Sequence, residues 1–200
     1  VGRNLINTLN NSFEFYIYKR NSILNVNQDA VIHLAGIAHD KSGKINSDLY
    51  YKVNTDFTKK IFDAFLNSNS KIFIMLSSVK AVSDSPTDIV TESTNANPLT
   101  VYGKSKLLAE EYVLSKKLSY KRVFILRPCM IHGFNNKGNL NLLYNLVKKG
   151  FPWPLGAFNN QRSYCSIENL LFIIKELTEN KAIPSGIYNV SDDEPLSTNR

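Results

Sequence analysis

Cysteine, histidine and tryptophan are scarce in this sequence. Its 200 residues include two cysteines, three histidines and one tryptophan. Cys129 and Cys165 form no metal-binding or redox motif, and the histidines show no spacing typical of metal ligands. The sequence therefore predicts no metal site, and two free thiols are typical of a protein in a reducing cytoplasm.

Long apolar runs are also missing. No stretch of about 18 consecutive apolar residues is present, so the sequence predicts no membrane span. No basic-then-apolar leader opens the chain, and we expect no secretion signal. Internal repeats and low-complexity segments are absent as well. With 43% hydrophobic and 20% charged residues, the composition is that of a globular protein, which we expect to be cytoplasmic.

The charge balance is basic but not clustered. Lysine and arginine total 24 against 17 acidic residues, which gives a net charge of +7. The basic residues are spread along the chain, so nothing resembles a nucleic-acid-binding arm. This pattern favours a phosphate-bearing small molecule over nucleic acid as the anionic partner.

Short apolar runs alternate with longer amphipathic stretches. Strands are predicted over 13–18, 30–36, 71–78, 122–128 and 185–190, and helices over 48–67, 102–117, 139–149 and 167–179. Several of these strands lack polar alternation, as parallel strands covered on both faces do. We therefore predict an α/β fold with a doubly wound parallel sheet of the Rossmann type. We expect residues 1–128 to form the domain that contains most of the sheet, and 129–200 to form a smaller C-terminal lobe that builds a ligand pocket beside it, with 186–190 returning to the sheet.

The chain opens on a predicted helix, "VGRNLINTLNN", with no strand before it. In an open α/β sheet the first strand leads into a glycine-rich turn, where phosphates rest on a helix N-terminus. Gly2 fits the last glycine of such a turn. This favours a fragment that lacks the first strand; the alternative is that Gly2 is a loop glycine of an intact protein.

Small and polar residues fall at the carboxyl ends of three predicted strands. They are Ala35-Gly36, Ser77-Ser78 and Arg127-Pro128. In a parallel sheet these ends line one crevice. Glycine at position 36 lets a ligand approach the backbone closely. A serine pair taken alone is more typical of local hydrogen bonding or helix capping.

Tyr-x-x-x-Lys occurs three times, at 102/106, 112/116 and 144/148. The numbers of tyrosines and lysines predict about one such pair by chance, so the spacing alone decides nothing. Only Tyr102 stands in the first turn of a helix, after the predicted N-cap Thr100, where that helix meets the crevice. Lys106 comes one turn later on the same face. A neighbouring ammonium lowers the pKa of a phenol, and such a phenol can remove a proton from a hydroxyl.

These segments, in this order, resemble the extended short-chain dehydrogenase/reductase family, the nucleotide-sugar epimerases and dehydratases. The similar stretches are "VGRNLI", "DAVIHLAG", "VNTDFTKKIFDAF", "FIMLSSVKA", "YGKSK", "LRPCMIHG", "QRSYCSIEN" and "GIYNVSDDEPLST". The resemblance spans nearly the whole chain but lacks the first strand and part of the glycine-rich turn.

The resemblance implies a role for each matching residue. The catalytic set would be Ser78, Tyr102 and Lys106. The NAD-binding set would be Gly2, Leu34, Ala35, Gly36, Asn54, Ser77, Tyr102, Lys106 and Pro128. The substrate-binding set would be Ser78, Asn139, Trp153 and Arg162, with Arg162 and Asn139 on the diphosphate. Trp153 fits equally well as a core residue of the lobe.

Two departures from the family pattern leave alternatives open. The serine element aligns in two registers, which put either Ser78 or Val79 at the catalytic position; we prefer Ser78 because the role needs a hydroxyl. The segment "YIYKR" ends in Lys19-Arg20 where NAD enzymes have an acid. Basic residues there accommodate a 2′-phosphate, which keeps NADP open beside NAD.

The function that the resemblance implies is a UDP-sugar 4-epimerase. It would oxidise a ring hydroxyl transiently with bound NAD, as a cytoplasmic homodimer in polysaccharide biosynthesis. The first alternative is an NAD(P)H-dependent reductase of a 4-keto nucleotide sugar. The second is a non-catalytic nucleotide-binding module or inactive partial chain.

Overall fold

Four parallel strands form the main sheet. The computed structural model describes residues 1–18, 24, 26–38, 46–118, 120–133, 144–145, 147–150 and 160–197. The strand bounds are β1 Ala30–His33, β2 Ile72–Leu76, β3 Arg122–Pro128 and β6 Gly186–Val190. The strands lie in the order β1-β2-β3-β6. All three pairings are parallel, so the predicted α/β class with a parallel sheet is confirmed.

The helices cover both faces of this sheet. Their bounds are α1 Gly2–Leu9, α2 Ser47–Tyr50, α3 Phe57–Leu66, α4 Val101–Leu114 and α5 Ile167–Glu179. A π-helical segment, Tyr51–Asp56, joins α2 to α3 without a break. Helices α1 and α5 share one apolar core with the sheet, and α3 and α4 share the other. This two-sided covering is the doubly wound arrangement.

The central strands are apolar on both faces because both are covered. Along β2 the side chains of Phe73 and Met75 face the core with α3 and α4, whereas Ile72 and Ile74 face the core with α1 and α5. Phe73, Ile74 and Met75 have no exposed surface. Burial on both sides explains why this run is continuously apolar rather than alternating.

A second, small sheet is formed by residues outside the main one. Its two parallel strands are β4 Met130–His132 and β5 Tyr164–Ser166. The carboxylate of Asp192, just after β6, accepts a hydrogen bond from the Ser166 amide at 2.9 Å and lies 3.0 Å from His132 Nε2. Asp192 thus joins the small sheet to the end of β6.

The predicted strand over 13–18 is wrong. These residues belong to no strand, and Tyr16 and Ile17 are 64% and 58% exposed. A strand requires a neighbour to pair with, and within the described residues β1 pairs with β2 alone. The apolar run is present, but no strand among the described residues pairs with it. The helix predicted over 139–149 lies largely outside the described residues.

Within the described ranges, no helix combines the length and the apolar character that crossing a membrane requires.

Truncating Phe73 should destabilise the fold strongly. Its ring packs against the rings of Phe62 and Phe65 at centroid distances of 4.9 and 5.2 Å. We expect Phe73→Ala to lower the free energy of unfolding by about 3–5 kcal/mol, measured by denaturant titration. The same change at Phe172, which is 62% exposed, is the control and should cost about 0.5 kcal/mol or less. Equal losses in the two variants would contradict the core assignment.

Candidate active site

The carboxyl end of β1 meets the N-terminus of α1. Leu34, Ala35 and Gly36 come directly after β1. A Cβ atom on Gly2 would lie 3.8 Å from Leu34 Cδ1, which puts the start of α1 beside the end of β1. The structure therefore brings together Gly2 and the segment 34–36, as expected of a crevice that holds a phosphate-bearing ligand.

Tyr102 lies in the first turn of α4, as predicted. Thr100 is the N-cap, and its Oγ1 accepts a hydrogen bond from Gly103 N at 3.1 Å. The carboxylate of Asp84 accepts from the amides of Leu99 and Thr100 at 2.7 and 2.9 Å. This double cap fixes where α4 begins, and therefore where the phenol stands.

Gly103 allows α4 to pack tightly against the turn after β2. A Cβ atom at this position would collide with the backbone oxygen of Lys80 and would lie 2.7 Å from Pro98 Cβ. Any larger residue would push the start of the helix away from the 3₁₀ turn Val79–Ala81. Sequence reasoning missed this role, although the glycine inside "YGKSK" was its visible signal.

Ser78 meets the phenol of Tyr102. Its Oγ accepts a hydrogen bond from Lys80 N at 3.2 Å, which leaves its hydroxyl hydrogen for the Tyr102 oxygen. Val79 has no hydroxyl and begins the 3₁₀ turn. Of the two serine registers, the one that gives Ser78 puts a hydroxyl beside the phenol, and its catalytic role stays a prediction.

The pKa of Tyr102 differs from the expectation. Burial raises it, the hydrogen bond from Ser78 opposes that rise, and the charge of Glu110 adds to it. A pKa lowered by the neighbouring lysine was expected, but in this structure the cost of burying a phenolate prevails. Burial of Tyr102 therefore disfavours its phenolate form.

Lys106 lies one turn after Tyr102 and is only 5% exposed. Its Nζ donates to the Leu76 carbonyl at 2.9 Å. A Cβ atom on Gly36 would lie 3.1 Å from this Nζ. The ammonium therefore lies directly against the segment 34–37 after β1, which we call the glycine loop. Burial lowers the pKa of Lys106 to about 8, and the charge of Glu110 opposes the fall.

Asn54 ties the glycine loop to α4. It is fully buried within the π-helical segment. Its Oδ1 accepts from Ile37 N at 2.8 Å, and its Nδ2 donates to the Ile37 carbonyl and to Ser105 Oγ at 3.0 and 2.9 Å. These bonds occupy the amide and fix the loop after β1, while the NAD-binding role of Asn54 stays a prediction. π-helical turns often accompany such sites.

His33 supports the same region from the end of β1. Thr58 Oγ1 donates to the Asn54 carbonyl at 2.6 Å, so it accepts from His33 Nε2, which lies 2.9 Å away. The imidazole is therefore neutral with its proton on Nε2. Burial, and then the charge of Lys106, lower the pKa of His33 to about 4.

Ser77 and Pro128 lie beneath the crevice rather than on its surface. Pro128 is buried, and Ser77 is 4% exposed with its hydroxyl donating to Glu110. Glu110 in turn holds Arg127. Sequence reasoning missed Glu110, although it comes four residues after Lys106 and so shares its helical face.

The predicted substrate side is described only in part. Arg162 is exposed, and its backbone exchanges two 2.9 Å hydrogen bonds with Leu196. Asn139 and Trp153 lie outside the described residues, as do Lys19 and Arg20. The substrate roles of Asn139, Trp153 and Arg162, and the choice between NAD and NADP that Lys19-Arg20 raised, stay predictions.

The hydroxyl of Ser78, the phenol of Tyr102 and the ammonium of Lys106 thus lie near the carboxyl ends of the parallel strands β1 and β2. Over residues 18–191 the sequence matches the NAD dependent epimerase/dehydratase family. The chain belongs to this family.

Its relatives include two curated bacterial 4-epimerases. The UDP-glucose 4-epimerase of Vibrio cholerae is 34% identical over 179 residues, which are 86% of this chain and 54% of that enzyme. The N-acetyl-alpha-D-glucosaminyl-diphospho-ditrans,octacis-undecaprenol 4-epimerase of Escherichia coli O157:H7 is 32% identical over 86% of this chain and 52% of its own length. The chain thus spans about half the length of these curated relatives.

A solved structure has the same fold. It is the UDP-glucuronic acid 4-epimerase from Bacillus cereus in complex with NAD, with a TM-score of 0.69 and 20% identity. The match covers 85% of this chain and 55% of that one. At this identity the likeness concerns the fold alone.

Replacing Gly103 by alanine should disturb the start of α4. Alanine gains about 1 kcal/mol in helix propensity, but its methyl group would collide with a backbone oxygen that has little freedom to move. We expect a net loss of about 1–3 kcal/mol in unfolding free energy. Gly186→Ala is the control, since its new methyl group would only reach Tyr188 at 3.8 Å. An unchanged Gly103→Ala protein would contradict the close packing.

His33 should make the protein sensitive to acid. Between pH 6.5 and about 4 the unfolded chain binds the His33 proton and the folded chain does not. Stability therefore falls as the pH drops through this range, by about 3 kcal/mol at most. In His33→Gln an amide N–H, which does not titrate, replaces the imidazole N–H. The stability of this variant should therefore depend less on pH than that of the wild type. If the unfolding free energies of the wild type and His33→Gln change in parallel between pH 6.5 and about 4, His33 is not the source of the acid sensitivity.

Proposed function

We propose that this chain carries the cofactor-binding and catalytic part of a UDP-sugar 4-epimerase that works with bound NAD. The observation that supports this most is the meeting of Ser78, Tyr102 and Lys106 beside Gly36. The family match and the 4-epimerase relatives support the reaction type. Two of those relatives act, by their names, on a UDP-linked sugar and on a sugar diphosphate carried by undecaprenol.

The crevice has the features that a dinucleotide requires. Gly36 keeps a space that a Cβ atom would fill at 3.1 Å from both Asn54 Oδ1 and Lys106 Nζ, and the N-terminus of α1 stands beside Leu34 with its positive dipole end. Residues 34–36, Gly2 and Lys106 would hold the cofactor. The hydride chemistry of the reaction is what bound NAD supplies, since no side chain accepts or returns a hydride.

The protein's own residues would manage the proton. Tyr102 accepts the proton of the sugar hydroxyl as the carbon is oxidised, and returns it to the same oxygen after the sugar has turned its other face. The hydroxyl of Ser78 holds the reacting oxygen during both steps. Lys106 supplies positive charge that favours the phenolate, which burial alone disfavours. Arg162, Asn139 and Trp153 would bind the nucleotide diphosphate.

The remaining parts of the proposal concern the whole protein. We expect a homodimer that uses the helices near 50–67 and 102–117, where Leu108 and Leu114 of α4 are 44% and 54% exposed. We expect the protein to act in the cytoplasm, where UDP-sugars are used for polysaccharide synthesis. Residues 129–200 would serve as the substrate lobe and 1–128 as the cofactor domain.

Tyr102→Phe should abolish epimerisation without loss of the fold. Removing a general acid/base costs about 10²–10⁴-fold in rate, while NAD binding and the unfolding transition should be unchanged. The rate is measured on the full-length protein, by monitoring the change of one UDP-sugar into its epimer.

Tyr112→Phe is the matched control for this experiment. Tyr112 also precedes a lysine by four residues, but its hydroxyl donates to Asp63 at 2.7 Å and its ring contacts Lys116. This variant should retain full activity. Normal turnover by Tyr102→Phe would overturn the proposed function.

A further inference from the structure

A buried cluster of three polar side chains lies under the proposed catalytic residues. Glu110 and Arg127 are 1% and 4% exposed. Arg127 Nε lies 3.2 and 3.1 Å from the two carboxylate oxygens, and its Nη2 lies 2.5 Å from Oε2. The Ser77 hydroxyl donates to Oε1. We call Ser77, Glu110 and Arg127 the clamp.

The clamp joins the three elements that form the site. Glu110 is on α4, one turn after Lys106 and two turns after Tyr102, so all three residues share one face of the helix. Ser77 lies between Leu76, whose carbonyl accepts from Lys106, and Ser78. Arg127 is on β3, next to β2 in the sheet. A displacement of Glu110 would therefore shift the positions of Ser78, Tyr102 and Lys106 relative to one another.

The carboxylate also acts on the catalytic residues through its charge. It opposes the fall that burial causes in the pKa of Lys106, and it adds to the rise in the pKa of Tyr102. Water is largely excluded from this region, so one charge acts over a helical turn with little screening. Arg127 and Glu110 partly neutralise each other, but the charge of Glu110 is the one that acts on Lys106, one turn away on the same helix face. From the end of β1, the His33 ring is the other titratable group coupled to this lysine.

We propose that Glu110 is a positioning residue: held by Arg127 and Ser77, it fixes the Tyr102–Lys106 face of α4 on the ends of β2 and β3 and supplies the negative charge that Lys106 faces. The catalytic half of this statement rests on the proposed function. The simpler interpretation is a buried ion pair that anchors α4 and has no influence on Lys106. The two interpretations differ in what happens to proton binding when the charge is removed.

Glu110→Gln tests the charge without removing the side chain. We monitor the titration of Lys106 by NMR of isotope-labelled lysine, assigned with a Lys106→Met variant, in the absence of substrate. Loss of the negative charge should move the Lys106 midpoint to lower pH by about 1 pH unit. Glu110→Asp restores the charge and should return the midpoint towards the wild-type value.

Glu111→Gln is the matched control. It removes the same charge from the next residue of the same helix, but Glu111 is exposed and solvent screens it. It should leave the Lys106 midpoint unchanged. A Glu110→Gln protein that is folded and titrates Lys106 like the wild type would overturn the proposal and leave the clamp as an anchor.

Glu110→Gln also leaves a buried guanidinium without its partner, and Arg127 Nη1 already has no hydrogen-bond acceptor among the described residues. Such a change can unfold a protein. The double variant Glu110→Gln/Arg127→Met removes both charges and should fold. It should still titrate Lys106 at lower pH, since the charge facing that lysine is gone. A wild-type midpoint in the folded double variant would equally overturn the proposal.

The full-length enzyme provides a second readout. Because Glu110 raises the pKa of both Tyr102 and Lys106, both limbs of the pH–rate profile should move to lower pH in Glu110→Gln, with KM little changed. An anchor alone would lower the rate without moving the limbs. The NMR titration needs no turnover, so an inactive wild-type protein would refute the proposed function while the Lys106 result still decides the role of Glu110.

Discussion

The close approach of α4 to the ends of β2 and β3 is the constraint on which the site depends. Two features with opposite chemistry produce it. At the start of the helix the missing side chain of Gly103 lets backbone meet backbone. Two turns later the carboxylate of Glu110 reaches across to Arg127. Between these two contacts the position of the helix is fixed, and Tyr102 and Lys106 have little freedom to move away from Ser78 and Leu76.

Burial also determines the proton chemistry of this region. A phenol, an ammonium and an imidazole lie within it, and burial disfavours the charged form of each: it raises the pKa of Tyr102 and lowers those of Lys106 and His33. The hydrogen bond from Ser78 offsets part of the effect at Tyr102, and the carboxylate of Glu110 offsets part of it at Lys106 while adding to it at Tyr102. A charged ligand that binds beside these three side chains would therefore shift their pKa values.

The features that sequence reasoning predicted well are those with local signals. A few neighbouring residues are enough to determine the apolar strands β2 and β3 and the helix cap at Thr100. The position of Tyr102 follows from that cap. The failures have non-local causes. Residues 13–18 have a strand-like pattern, but no strand in the described part of the chain pairs with them. The hydrogen-bond partners of Asn54 could not be foreseen either, because Ile37 and Ser105 are 17 and 51 residues away. Gly103 and Glu110 belong to no local pattern, and their roles depend on residues of other elements that pack against α4.

The number of residues in the π-helical segment Tyr51–Asp56 determines which of its side chains face α4. Each residue added to or removed from a helix rotates the remainder of that helix by about 100°. The segment accommodates its wider turns where Asn54 and Thr55 face α4, and Tyr50 just before it is buried. A π-turn holds one inserted residue and so absorbs this rotation. Deleting a single residue there would therefore keep the apolar face of α3 in register but would change which side chains of the segment face α4. A change of length in this stretch would therefore separate folding from the assembly of the site, something that substitution at any one of its positions would not do.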